Sequence, residues 1–363
     1  VRRRVCRALA AALLLGLSGA AAAGSRSADA PDAASLRALY ARPPAHWPAP
    51  ELEPGADFVA FGVPAPLPPP DPALARLGAA LFGDPRLSAS GAMSCASCHD
   101  PAHGFADPRP LRPAAATAAP RDAPSLLGVA RHAGFGWEGM ERSLAAQSLR
   151  PLAHRDEMAN ADAAAVAVRV AGLTEYRPLV AAAFGEDGID AGRLGAALAA
   201  YLGGLDAPTR FEAFLGGDYA SLDDQEIRGL HLFRTKAGCA NCHSGPMLAD
   251  GGAHNLGLSA FGEPREDLGR FRLTGEMQDA GRFRTPSLRH VGRTAPYMHN
   301  GLFPSLEAVV NLYARGGGDV WVRNEAEARS PLHAGAARRD ALLRPRDLDA
   351  AERAALVAFL QTL

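Results

Sequence analysis

Cys95-Ala96-Ser97-Cys98-His99 and Cys239-Ala240-Asn241-Cys242-His243 both spell C-x-x-C-H, and their histidines stand 144 positions apart. Of the five cysteines in the 363 residues, only Cys6 lies outside these pentapeptides. Two thiols three positions apart on one turn of chain can each add to a vinyl group of one haem, and the adjacent imidazole then falls under the iron as proximal ligand. A four-sulfur zinc site would need no histidine after each pair. A redox dithiol would want a βαβ setting, and none surrounds either motif. The pentapeptides therefore predict two covalently bound haem c groups, attached through Cys95, Cys98, Cys239 and Cys242, with His99 and His243 as iron ligands.

Upstream of the first motif, Asp71-Pro72 opens a predicted helix running through LARLGAALFG, with Asp71 as N-cap and Pro72 at the first helical position. Residues 24–70 are proline-rich and predict an extended, irregular wrap, and residues 104–126 a loop. Helical spacing returns at 141–149, 161–173 and 190–205, the last capped by Asp190. Ser221 with Asp224 reads as a capping box for a helix carrying Leu230 and Phe233. Two late helices follow. One runs from Ser305 to Ala314 with Leu306, Val309 and Val310 on one stripe and Gly316 closing it. The other starts at Asp347, with Leu356, Phe359, Leu360 and Leu363 on one face. Strand signals are nearly absent, so the predicted fold is mostly α in two haem modules.

Residues 1–23 read as a signal peptide: Arg2, Arg3, Arg4 and Arg7 precede a short apolar run (ALAAALLLGL), and Ala21-Ala22-Ala23 offers a small-residue cleavage site. Cys6 departs with it. The apolar run is shorter than the about 18 residues that a membrane span needs, and no later stretch supplies one. The whole chain has 38 basic and 39 acidic residues, a net charge of -1. Without the leader's arginines it is acidic, about −5. This argues against a nucleic-acid partner. Lys236 is the one lysine, which disfavours Schiff-base chemistry and a lysine-ringed docking face.

Three stretches carry a resemblance: LFGDPRLSASGAMSCASCHDPAHGFAD (81–107), Trp137-Glu138-Gly139 followed by QSLRPLAHRDEM (147–158), and FRTPSLRHVGRTAPYMHNGLFPSLEAVVNLYARGG (283–317). In order and spacing they resemble the bacterial dihaem cytochrome c peroxidase superfamily from about residue 40 onward. The resemblance implies two cytochrome c-like domains whose haems face a common interface. The peroxidatic domain would span 71–215 and the electron-transfer domain 216–363, with the helix at 347–363 able to pack on either. It also implies a periplasmic enzyme, monomeric or homodimeric.

Trp137 matches the family's bridging tryptophan between the haems; taken alone, a tryptophan is usually a core residue satisfying its indole N–H. Gln147 and Glu157, 10 and 20 positions further on, match the distal polar pair over the peroxidatic haem. A carboxylate there can take the first proton of hydrogen peroxide and return it to the leaving oxygen. An isolated glutamate is otherwise a solvated surface charge. Asp122, with Thr294 and Pro296 through their carbonyls, matches a calcium site between the haems. Asp122 stands where the family usually has asparagine. Met140 stands where relatives often have arginine, with no consequence that the sequence defines.

Two departures from the family pattern bear on function. Peroxidases that need reductive activation carry a histidine some 15 residues after the first motif. Phe105 to Arg131 here contains no His, Met, Tyr, Lys or Cys, which predicts a first haem open to peroxide in every oxidation state. Those peroxidases also place a methionine 17 residues after the proline of the T-A-P-Y segment, and counting from Pro296 gives Tyr313. A tyrosinate ligand to the second iron resembles the methylamine-utilisation branch, whose dihaem enzyme oxidises tryptophans of a partner protein. Tyr313 also fits a core stripe with Leu306, Val309 and Val310, and Met298 or His299 are alternative ligands. Three functions stay open at this point. One is a cytochrome-c peroxidase drawing electrons from a small c-type cytochrome or cupredoxin. Another is a peroxide-dependent oxidase of aromatic residues on a partner protein. The third is a non-enzymatic dihaem carrier, disfavoured because a carrier needs no acid-equipped open iron.

Overall fold

The Asp71 carboxylate accepts hydrogen bonds from the amides of Ala73 and Leu74, and Pro72 fills a first helical position whose amide would have had no partner. A helix follows from Pro72 to Gly83 as the sequence predicts. The same chemistry starts the helix at Ala191, where Asp190 accepts from the Arg193 amide. It also starts the one at Leu306, where Ser305 accepts from the Ala308 amide.

A computed structural model describes residues 31–109, 121–185 and 188–363; the predicted leader and residues 110–120 of the predicted loop lie outside them. Every element below belongs to the unit Ala33–Leu363. Its helices are α1 (Ala33–Tyr40), α2 (Pro72–Gly83), α3 (Leu144–Ala153), α4 (Ala163–Gly172), α5 (Arg177–Phe184), α6 (Ala191–Gly203), α7 (Arg210–Leu215), α8 (Asp224–Arg234), α9 (Phe271–Thr274), α10 (Leu306–Ala314), α11 (Glu325–Ala328), α12 (Pro331–Ala337) and α13 (Ala350–Leu360). Two short strands, β1 (Ala253–Asn255) and β2 (Arg282–Arg284), pair antiparallel with His254 opposite Phe283. The fold is mostly α.

Two large apolar cores form inside this unit. The first gathers Leu77, Leu81, Phe82, Leu152, Val166, Val170, Leu194 and Leu198 around α2 and α6. A Cβ on Gly78 would overlap the Ala197 carbonyl oxygen, so the glycine lets the two backbones touch. The second core gathers Phe211, Phe214, Ile227, Leu230, Phe233, Leu356, Phe359 and Leu363 around α8 and α13. It uses the same device: a Cβ on Gly229 would overlap the Ala355 carbonyl oxygen. The helix at 347–363 therefore packs on the second core. Charged groups tie the cores together. Arg289, 6% exposed, pairs with Glu212 at 2.5 Å and with Asp206 at 2.8 Å, and Asp206 also holds Arg131 at 2.7 Å.

Several expectations need correction. The segment 24–70 is not wholly an irregular wrap, because Ala33–Tyr40 is α1, with Leu36 and Tyr40 one turn apart and both buried in the second core. No proline falls between Pro31 and Pro43, so the helix-favouring AASLRALY is free to wind. The cap of α8 is Asp223, which shares reciprocal bonds with Glu226; Ser221 instead donates its hydroxyl toward the carbonyls of Arg210 and Asp218. A carboxylate pair closer to the first turn displaced the serine. The chain passes from the first core to the second after Leu202 and before Phe211.

Candidate functional site

Each C-x-x-C-H pentapeptide folds as a short 3₁₀ turn, Cys95–Ser97 and Cys239–Asn241. The turn is closed by the histidine amide, His99 N–H to the Cys95 carbonyl at 2.9 Å and His243 N–H to the Cys239 carbonyl at 3.0 Å. This geometry presents both sulfurs and the imidazole from one turn. His99 Nδ1 lies 3.0 Å from the Phe105 carbonyl, and His243 Nδ1 lies 2.8 Å from the Leu248 carbonyl. A carbonyl only accepts, so Nδ1 carries the proton in both, and Nε2 is left as the ligating nitrogen.

The two accepting residues are themselves unusual. Phe105 has φ 57° and Leu248 has φ 51°, the left-handed region that costs a bulky side chain about 1–3 kcal/mol. The strain sits where it aims a histidine. Burial pulls both imidazoles below their ordinary value, keeping them neutral and metal-competent. Burial likewise pushes the Cys95 and Cys239 thiols up to about 12. That is unlike a poised redox dithiol. The four motif cysteines form no disulfide. Among the described residues the one His/Cys/Asp/Glu group with metal-ligand spacing is Cys242, Asp250 and His254, so no four-sulfur zinc site exists. The donor set fits two haem c groups.

An apolar cavity opens beside the second motif. His243 and Cys242 line it, and so do Trp137, Tyr313, Met298 and His299. The stripe Leu306, Val309, Val310 and Tyr313 on α10 faces this cavity, so the core reading of Tyr313 and the ligand reading place it on the same wall. Burial first, then the Cys242 and Cys239 sulfurs, raise the Tyr313 phenol well above its ordinary value. His299 stacks on Phe283, with ring centroids 3.7 Å apart, and meets Trp137 edge-on at 6.3 Å. His254 is held between Asp250 and Asp340 at 2.7 and 2.8 Å.

Trp137 sits on a tight turn. Its indole N–H donates to the Asp122 carbonyl at 2.9 Å, and the Asp122 amide donates to the His299 carbonyl at 2.8 Å. Arg121 braces the same turn, reaching Glu138 at 2.5 Å and Asp267 at 2.6 Å. Residues 121–122 thus clamp the tryptophan to the second half of the chain. Gln147 lies on α3 beside this turn, and its Oε1 is buried without a hydrogen-bond partner. Glu157 follows α3 on a turn closed by its amide to the His154 carbonyl at 3.0 Å. Its side chain is 47% exposed and lies 3.6 Å from His154 Nδ1. Burial raises its carboxyl, and its charge in turn raises the Cys95 thiol. Among the described residues no hydrogen bond joins Gln147 to Glu157.

Asp122 and Pro296 meet around Gly301, where a Cβ would lie 3.6 Å from Asp122 Oδ1 and 3.5 Å from Pro296 Cγ. Thr294 turns its methyl toward Gly104. Burial, then the Asp107 charge, pushes the Asp122 carboxyl up to about 8. A cation beside it would reverse that shift. Sequence reasoning missed Arg121, His254 and Arg284. The first stands in an otherwise proline- and alanine-rich loop, where an adjacent Arg-Asp pair is the one available signal.

Two carbonyl-aimed histidines, each following a pair of reduced thiols on a helical scaffold, define a c-type protein with two haem attachments. Residues 72–220 match the di-haem cytochrome c peroxidase family. The chain is 37% identical over 355 residues to the methylamine utilization protein MauG of Methylorubrum extorquens, covering 95% of this chain and 89% of that protein. It is 34% identical to the cytochrome-c peroxidase IdrP1 of a Pseudomonas species, covering 83% and 84%. In solved structures it is similar to a MauG-like protein associated with microbial copper homeostasis, with TM-score 0.71, 34% identity and coverage of 83% and 94%. It is also similar to the dihaem peroxidase BthA of Burkholderia thailandensis, with TM-score 0.64, 29% identity and coverage of 87% and 94%. The chain belongs to the di-haem cytochrome c peroxidase family, whose members carry two c-type haems and act as peroxidase-type oxidoreductases.

Proposed function

We propose that the protein reduces hydrogen peroxide at an open first haem, with electrons relayed from the second through Trp137. When bound, the haems supply a site for the peroxide O–O bond and a store of electrons. The protein's own residues handle protons and position. Glu157 takes the first proton of peroxide on its carboxylate and returns it to the leaving oxygen, and its raised affinity for protons suits that exchange. Gln147 offers a fixed acceptor to the bound peroxide. The observation that carries this reading is the buried, unpartnered Gln147 Oε1, on the helix that leads into Glu157 and beside the Trp137 turn. Glu157→Gln should slow the peroxide reaction by about 100-fold in stopped-flow mixing; an unaltered rate removes Glu157 from the chemistry.

A second reading, peroxide-dependent oxidation of aromatic residues on a partner protein, is favoured by one observation. Tyr313 shares the second cavity with His243, where it would serve as that iron's second ligand in place of Met298 or His299. Peroxide added to the ferric protein without any donor separates the two. A long-lived spectral change supports the protein-oxidising role, whereas a requirement for prior reduction supports the conventional peroxidase.

The same reading assigns the core around α2 and α6 to the peroxidatic haem and the core around α8 and α13 to the electron-transfer haem, the two facing the Trp137 turn. Asp122, Thr294 and Pro296 would hold calcium there. The protein would be exported to the periplasm, as a monomer or homodimer. No helix among the described residues is long and apolar enough to cross a membrane. Its acidic, lysine-poor chain suits a basic or partly apolar face on the donor, a small c-type cytochrome or cupredoxin, or on a protein substrate.

A further inference from the structure

Arg284 stands in β2, and three contacts tie it to the Trp137 turn. Its backbone amide donates to the Trp137 carbonyl at 2.8 Å. Its Nε donates to the Gly136 carbonyl at 3.2 Å. Its methylene stem lies along Gly139, where a Cβ would come within 2.9 Å of Arg284 Cδ. The side chain also lines the cavity that holds His243 and Tyr313.

Among the described residues, Arg284 differs from its partnered neighbours in having no counter-charge. Arg289 is neutralised by Glu212 and Asp206, and Arg121 by Asp267 and Glu138. Arg234 lacks a carboxylate but lies over the faces of Tyr40, Trp47 and Phe58. Arg284 has neither arrangement among the described residues; beyond Gly136 its guanidinium reaches only the Thr285 carbonyl, at 3.4 Å. Burial alone pulls it below the ordinary guanidinium value. Arginine does not give up its proton in proteins, and a buried charge without a partner costs several kcal/mol. The guanidinium, largely withdrawn from water at this wall of the cavity, is thus placed to take an anion. A planar carboxylate is the group that a guanidinium fork binds best.

We propose that Arg284 anchors a propionate carboxylate of the second haem, so that one residue fixes both the edge of that haem and the turn carrying Trp137. The proposal rests on the reading that Cys239, Cys242 and His243 hold a haem. A guanidinium at that edge favours the reduced iron, so its loss lowers the midpoint potential.

In the holoprotein, Arg284→Gln should keep two haems per chain by pyridine haemochrome assay. It should weaken reduction of the second haem by about tenfold, about 59 mV for a one-electron couple. Arg284→Lys, which keeps the charge, should stay within about threefold of the unsubstituted protein. A Gln variant with two haems and an unchanged midpoint overturns the assignment, and so does a Lys variant that shifts as far as Gln. One haem per chain in the unsubstituted protein would instead break the underlying two-haem reading. If the Gln variant does not accumulate, a crystal structure of the holoprotein decides. A guanidinium nitrogen about 3 Å from a propionate oxygen supports the anchor, and one meeting only carbonyls overturns it.

Discussion

In the loop from Cys95 to Phe105 and in the loop from Cys239 to Leu248, a 3₁₀ turn presents two thiols, and a left-handed residue turns its carbonyl onto the histidine's Nδ1. Each loop stands on a helix pair whose backbones touch across a glycine, Gly78 in one and Gly229 in the other. The surroundings differ. On the side of the first motif, Gln147 carries an unpartnered amide oxygen, and the half-exposed Glu157 is close enough for its charge to raise the Cys95 thiol. Around the second is an apolar cavity walled by a phenol, a thioether and an imidazole. Under the proposed function, similar scaffolds would separate two tasks by their surroundings: proton-handling groups for the first haem, candidate ligands for the second.

The sharpest way to break this comparison is to count open irons. The ferric protein should bind one cyanide per chain, at the first haem, and Tyr313→Phe should expose a second binding position while changing the second haem's spectrum. Two six-coordinate low-spin haems in the unsubstituted ferric protein would erase the distinction. A spectrum unchanged in Tyr313→Phe would move the ligand to Met298 or His299.

The shared scaffold predicts a shared sensitivity. Gly78→Ala and Gly229→Ala each push a methyl into a carbonyl oxygen. Each should cost about 1–3 kcal/mol, as overpacking does, read as a drop of about 5 °C in Tm. A variant that melts like the parent would show that its helix pair can slide apart.

A pH-dependent effect concerns the ion expected between the haems. Without calcium, Asp122 keeps its proton to about 8 in the folded protein, against an ordinary value of 3.8. The folded state then binds that proton more tightly. The contribution to stability is full at low pH and is lost as pH rises from near 4 through about 8. Chelator-treated protein should therefore lose Tm over that window, and calcium should restore it. Asp122→Asn should flatten the slope, and parallel curves for parent and variant would refute the burial argument.

Much of the scaffold is legible in the sequence because short-range chemistry writes it. Asp71, Asp190 and Ser305 cap where their side chains say they should. Both pentapeptides carry their function within five residues. What stayed hidden depends on neighbours far along the chain. Ser221 and Asp223 both look like caps, and only Glu226 settled the choice. Arg284 is one of many arginines, and its proposed role rests on the lack of a carboxylate beside it among the described residues. The reach of Trp137 into the second cavity depends on Arg121 and Asp122, 16 and 15 positions back.

The two cores also differ in how much chain each must gather. The first is complete within Leu77 to Leu202, whereas the second needs Leu36, Tyr40 and Trp47 together with Phe359 and Leu363. Closing so long a loop is slow, and a chain emerging from its amino end can finish the first core long before the second. On that order the second pair of thiols would stay accessible longer than the first. Haem attachment would then have its widest window at Cys239 and Cys242, until α13 completes the second core.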